Sequence, residues 1–247
     1  MIKSALSYIV GLGKDAATNQ LFDIDGVQFS GNGLNLSPVM MPEPDRLDMT
    51  TLTGLVDYVA ANRDELGLAK MVVVVDAPDR VTLRGPLMHA TQQRPVYVQC
   101  KPLLPTIKLE EYQSSEQLNL MLQSCFVNTE DRATLISFTA CVTEESSITT
   151  TDDGVGQSVV AKVGIARRSE VIAPSPINLR PFRTFTEIEQ PESPFVLRMR
   201  STPLAMGLFG ADGGAWRNAA IASIKQFLVA KLDEALEETS ASVTVLA

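Results

Sequence analysis

Apolar positions along this chain change period several times, and each change predicts an element. Ile2, Ala5, Leu6 and Ile9 recur at helical spacing, so residues 1–12 are expected as a helix packing on the body. The stretch "LFDIDGVQFSGNGLNLSPVMMPEP" (21–44) is rich in Gly, Pro and Asn and predicts short strands with irregular connections. Thr50 or Thr51 then suits an N-cap, and Leu52, Leu55, Val56 and Val59 form the apolar stripe of a helix ending near Asn62. A meander follows. "AKMVVVVD" is short and β-branched, "VTLRG" alternates, and "PVYVQC" alternates again. Four consecutive valines predict a central strand covered on both faces.

Pro102 and Pro105 interrupt the chain, and residues 102–113 form its one plausible seam. Beyond them Leu118, Met121, Leu122 and Cys125 share a helical face, with Ser114 or Ser115 able to cap it. In "NTEDRATLISFTACVTEESSITT" a helical turn over 130–134 is possible. Ile136, Phe138, Ala140 and Val142 then alternate with polar residues, which favours a long strand from about 135. Asp153-Gly154 signals a hairpin turn, with "SVVAKVGIA" as the return strand. Three prolines make "APSPINLRP" an extended connector.

The stretch "LRPFRTFTEIEQPESPFVLRMR" (179–200) holds four arginines, three glutamates and three phenylalanines. Its alternation predicts a hairpin of 182–189 with 195–200, looped at 190–194. Pairing Ile188 with Leu197 puts apolar on apolar and sets Glu187 against Arg198, each cross-strand pair adding roughly 0.2–1 kcal/mol. In that register Arg180 and Arg183 have no acidic partner. "PLAMGLFG" then reads as a strand, "ADGG" as a turn, and "AWRNAAIASIKQFLVAKLDEALEE" as the clearest helix, with Ala220, Ile224, Phe227, Leu228, Leu232 and Ala235 as its stripe. "SASVTVLA" is either a strand or a loose tail.

These elements imply an α+β fold of mixed, largely antiparallel sheets with a few packed helices and a long C-terminal helix. The expected organisation is one domain over 1–247, with 1–45 a loosely attached N-terminal segment.

Composition narrows the function. With 45% hydrophobic residues a chain of 247 can bury a real core. A formal charge of −8 disfavours non-specific binding to nucleic acid or anionic membrane. No apolar run approaches the roughly 20 residues that span a bilayer, and nothing at the N-terminus resembles a signal peptide. The expectation is a soluble, intracellular protein. Cys100, Cys125 and Cys141 are widely spaced and form no CxxC pair, so three buried, reduced thiols are expected rather than zinc ligands. His89 is the single histidine and sits in a loop-like stretch with no nucleophile motif around it.

Five weak chemical signals remain. Arg180, Arg183, Arg198 and Arg200 are the candidates for binding an anion or a protein partner. "GLGKDAATN" lacks the spacing of a phosphate-binding loop. Gly213 and Gly214 at a helix start could hold an anion, but Asp212 stands where a cap belongs and would occupy the same donors. Glu144, Glu145, Asp152 and Asp153 form an acidic cluster able in principle to hold Mg²⁺ or to act as an acid/base pair, although solvated hairpin carboxylates commonly do neither. Phe209 and Trp216 read as core side chains rather than as a base-stacking platform.

Three blocks in order, "DDGVGQSVVAKVGIA", "LRPFRTFTEIEQPESPFVLRM" and "FGADGGAW", resemble the YfdQ-like proteins of bacteriophages and prophages. The resemblance runs from the helix after Thr50 to Leu236. It implies a phage-borne protein of the host cytoplasm that forms a large homo-oligomer, and it transfers no catalytic or binding residues. The expectation is therefore a non-enzymatic protein that self-assembles and acts by binding, with itself as chief partner and a host or phage protein as another. No cofactor or metal is implied. The alternative is an accessory factor of phage DNA metabolism or counter-defence that binds single-stranded nucleic acid or a small nucleotide through the four arginines. A metal-assisted hydrolase built on the acidic cluster is a third and weaker possibility.

Overall fold

In the computed structural model the described residues are 2–17, 20–24, 27–31, 35–39, 45–88, 92–142, 147–149, 158–163, 167–172, 175–201, 203–238 and 241–247. Helix α1 (Ile2–Ala17) leads into strands β1 (Gln20–Ile24), β2 (Val27–Gly31) and β3 (Leu36–Pro38), which form an antiparallel sheet of their own. Strand β4 (Leu47–Met49), helix α2 (Leu52–Ala61) and strands β5 (Val72–Ala77), β6 (Arg80–Arg84) and β7 (Val96–Cys100) follow. Helices α3 (Ser115–Cys125) and α4 (Glu130–Cys141) precede strands β8 (Ser147–Thr149), β9 (Ser158–Val163), β10 (Arg167–Ile172), β11 (Ile177–Leu179), β12 (Ser193–Ser201) and β13 (Leu204–Gly210). Helix α5 (Trp216–Leu236) and strand β14 (Thr244–Leu246) complete the chain. The fold is α+β, its sheets are largely antiparallel, and its longest helix is near the C-terminus.

The largest sheet has the order β14-β5-β6-β7-β4, antiparallel at its centre and parallel at both edges. Strand β5 has a neighbour on each side, as its valines predict, but only one of its faces is sealed. Val73 and Val75 are buried, whereas Val72 and Val74 are half-buried. Within "SASVTVLA", Thr244–Leu246 form an edge strand of this sheet, with Val245 opposite Val73. Helices α2 and α5 cover the sealed face. Leu52, Leu55, Val56 and Val59 meet Ile224, Leu228, Leu232 and Leu236 there, with Val81, Leu83 and Val98 beneath. Each such side chain contributes roughly 1.5–3 kcal/mol on burial.

A second core lies between helices α3 and α4 and the sheet β11-β12-β13. Ser114 and Gln117 form a reciprocal capping box at the start of α3. Helix α4 replaces the strand expected from about residue 135. The Thr129 hydroxyl accepts the N–H of Arg132 at 3.2 Å, and Glu130 and Asp131 complement the helix dipole in the first turn. Burial falls on Leu135, Phe138, Thr139 and Val142, a helical spacing, while Ala140 is exposed. The alternating pattern was incidental, and the cap decides the outcome. Thr129→Ala is expected to cost about 0.5–2 kcal/mol in urea unfolding with a loss of helical signal; an unchanged midpoint would contradict the cap.

The hairpin predicted for 182–189 with 195–200 is not formed. Strand β12 pairs instead with β11 and β13, placing Leu197 opposite Leu208 and Arg198 opposite Gly207. Its two faces divide as the alternation requires: Phe195, Leu197 and Met199 are buried, and Val196, Arg198 and Arg200 lie on the other side. Residues 182–192 are an irregular plug because a side chain takes their backbone donors. Gln190 Oε1 accepts the N–H groups of Arg183 and Thr184, and Gln190 Nε2 donates to the carbonyl of Phe185 at 2.9 Å. Phe185 and Ile188 thereby enter the α2/α5 core. Glu187 does not face Arg198. It caps α2, accepting from the N–H of Leu52 at 2.7 Å and of Thr53 at 3.2 Å.

Helix α1 forms as expected and extends to Ala17, but it does not pack on the described body: Ile2, Leu6 and Ile9 are 79%, 58% and 65% exposed. Strands β8 and β9 pair antiparallel, as the hairpin signal predicts, while the Asp153-Gly154 turn lies outside the described residues. Strand β10, which adds to β9, had no counterpart in the sequence pattern. Cys100 and Cys125 are buried and Cys141 is exposed, so one thiol departs from expectation. Among the described residues no helix is long and apolar enough to cross a membrane.

Candidate functional site

The seam segment and the plug meet beside the start of α5, and a cleft of about 500 Å³ opens between them. Leu104, Pro105, Ile107 and Leu109 form one wall, and Phe182, Phe195 and Trp216 the other. Arg183 and Arg217 supply the cationic groups, Asp212 and Glu110 the acidic ones.

Arg183 is half-buried, and its guanidinium carbon lies 4.0 Å from the Trp216 ring centroid and 6.0 Å from that of Phe195. Such cation–π stacking gains strength as water is excluded. Its Nη2 donates to Ser193 Oγ and, at 3.4 Å, to the carbonyl of Pro191. Its buried Nε has no hydrogen-bond partner. Burial pushes the pKa of this guanidinium down to about 10; the charge of Asp212 opposes the shift and that of Arg217 adds to it. Arg183 is thus a cation held partly out of water without a carboxylate in ion-pair contact among the described residues.

Asp212 is committed elsewhere. Its Oδ1 accepts the N–H of Gly214 at 3.0 Å, and its Oδ2 accepts the N–H of Trp216 at 3.2 Å and the hydroxyl of Ser193 at 2.7 Å. Burial pushes the carboxyl up, but these hydrogen bonds, with the charge of Arg183, hold it below the usual carboxylate range. Asp212 thus takes the Gly214 and Trp216 donors as expected, although it is not the N-cap: that position is Ala215, which has no side-chain cap bond. Gly213 and Gly214 have φ of 61° and 85°, which the turn into α5 requires. Arg217 packs directly over Gly214, where an added Cβ would come within 2.4 Å of its Nη1.

The four predicted arginines do not form one surface. Arg180, expected to lack an acidic partner, is clamped between Glu189 and, at 3.1 Å, Glu192. The hydrogen bond it donates to Glu192 is the chief cause that raises its pKa above the ordinary value. Arg183 lies against Phe195, whereas Arg198 and Arg200 project from the opposite face of β12. Arg200 stacks on Tyr112 at 3.7 Å, and Tyr112 in turn contacts Phe209 with ring centroids 5.6 Å apart. Phe209 and Trp216 are half-buried, between core and surface; Phe209 tilts against Tyr112, and Trp216 carries the guanidiniums of Arg183 and Arg217. Arg217 and the apolar wall at 104–109 went unnoticed in the sequence. Arg217 reads there as one polar position of a long helix, and its only signal is adjacency to the single tryptophan.

Glu144, Glu145, Asp152, Asp153 and His89 lie outside the described residues. Among those described, no group of three or more His, Cys, Asp or Glu side chains is arranged to hold a metal ion. No family model, curated protein or solved structure matches the chain.

Proposed function

We propose that this chain is a phage-borne, non-enzymatic protein that assembles with copies of itself and acts by binding. The observation that carries the reading is α1. Ile2, Leu6, Tyr8, Ile9 and Val10 are exposed along a helix with little charge. An uncovered apolar face of this kind is a feature of interaction surfaces. A second copy is the occupant that fits best. The sheet β1-β2-β3, which follows α1 in the chain, adds exposed Leu21, Ile24 and Leu36. The chain's net negative charge opposes seating that face on an anionic membrane. The resemblance of the three sequence blocks to phage proteins agrees with this reading.

Size-exclusion chromatography with light scattering tests it. The intact protein is expected to run as a multimer at micromolar concentration, and Leu6→Glu with Ile9→Glu should reduce its mass. A monomer before substitution, or an unchanged multimer after it, would remove α1 from the interface. The alternative of single-stranded nucleic acid or a small nucleotide held jointly by Arg180, Arg183, Arg198 and Arg200 has less support, because those groups sit on separate faces and Arg180 is already ion-paired.

A further inference from the structure

We propose that the cleft between residues 104–110 and the start of α5 binds a small organic oxyanion, with its apolar or aromatic body against Ile107, Phe182 and Trp216 and its phosphate or carboxylate at Arg183 and Arg217. The inference goes beyond self-assembly and does not depend on it.

Three features support the site. The first is volume: about 500 Å³ accommodates a nucleotide-sized molecule. The second is the state of Arg183. A guanidinium partly removed from water is costly unless it is paired, and this one spends its observed bonds on neutral oxygens. Asp212, an acid of the same cleft, is turned to Ser193 and to two backbone N–H groups instead. Its negative charge is therefore already met by donors. The third is the placement of Arg217. Two like-charged guanidiniums contact the same indole, at 4.0 and 5.2 Å. Both residues line the cleft, so an anion bound there would offset their mutual repulsion, and oxyanions suit the planar donor fork of arginine. The walls are mainly apolar, so a free inorganic ion would leave most of the cleft unfilled.

The protein reports on this cleft directly, because Trp216 is its only tryptophan. The probes are adenosine 5′-monophosphate against adenosine, and benzoate against benzyl alcohol. Each pair shares a ring and differs in the charged group, so the two arms separate phosphate from carboxylate. Binding is followed by Trp216 emission and by calorimetry. At least one anion is expected to saturate and to bind about tenfold more tightly than its neutral analogue. Arg217→Ala should remove most of that preference. Arg217 is exposed, so this variant is expected to stay folded; Arg183→Met, which loses the stacked guanidinium, should remove the remainder. The proposal is overturned if neither anion perturbs Trp216 emission up to roughly millimolar concentration. It is equally overturned if the neutral analogues bind as well as the anions, or if Arg217→Ala leaves the preference intact. If Arg183→Met fails to fold, the Arg217→Ala result decides.

Discussion

Phe185→Ala is expected to destabilise the protein by about 3–5 kcal/mol, the range for deleting a buried aromatic ring. Phe185 is fully buried although it belongs to an irregular segment. Its ring sits among α2, the large sheet and α5, while flanking residues of the same segment are tied on one side to the end of α3 and on the other to the β5–β6 turn. The N–H of Phe182 donates to the carbonyl of Cys125, and the Thr184 hydroxyl reaches the carbonyl of Pro78 at 2.5 Å. The cavity left by alanine cannot be filled by moving the segment without breaking these bonds. Thr186→Ala is the control. Thr186 is exposed on the same turn, and its loss should change stability by less than about 0.5 kcal/mol. Urea unfolding monitored by circular dichroism measures both. A cost below about 1 kcal/mol for Phe185→Ala would show that the plug is not anchored by this ring.

Gln190→Ala should have the next largest effect. Gln190 is 5% exposed, and its amide satisfies both backbone polarities of the plug. Its oxygen serves the N–H groups of Arg183 and Thr184 at 3.1 and 3.3 Å, and its nitrogen serves the carbonyl of Phe185. Each buried group left unpaired costs roughly 1–3 kcal/mol, and with water reaching part of the site about 2–4 kcal/mol in all is expected. Gln190→Glu is also expected to destabilise, because a carboxylate can accept from both N–H groups but cannot donate to Phe185 and brings a charge inside. Hydrogen exchange adds a local reading: the Arg183 and Thr184 amides should lose protection in Gln190→Ala while those of β6 keep theirs. Uniform loss would mean that the plug opens only with the whole protein.

Much of the regular structure was legible from periodicity and capping. Thr51 and Ser114 stand before helical stripes and do cap α2 and α3. Val81 and Leu83 share the buried face of β6, and the expected stripe of α5 is buried at Ala220, Ile224, Leu228 and Leu232 and half-buried at Phe227, while Leu236 is buried in place of the exposed Ala235. Two failures have physical causes. In α4 a two-residue alternation and a helical pattern overlap at Phe138 and Val142, and the Thr129 cap with its acidic first turn separates them. In 182–192 the alternation is real, but a single buried glutamine satisfies the backbone groups a strand would have offered to a neighbour. No local pattern announces that kind of competition. The cleft was illegible for a related reason. Its walls come from residues 104–109, 182–195 and 210–217, and its cationic rim joins an arginine of the plug to one of a helix. Only the assembled chain brings them together.

The pairing of Val245 with Val73, and of α5 with α2, has a consequence for how the protein is made. The segment 52–100 emerges from the ribosome early, yet the helix and strand that seal it are encoded after residue 215. At about 5–20 residues per second, roughly a hundred residues of intervening chain mean a delay of about 5–20 s. Throughout that interval the valine-rich β5 has an open edge and a face that still lacks α5. The α3/α4 half, which draws its core from residues 107–208, is complete before then. Nascent chains stalled before residue 215 should therefore be bound by chaperones through β5, and should release them once α5 has emerged.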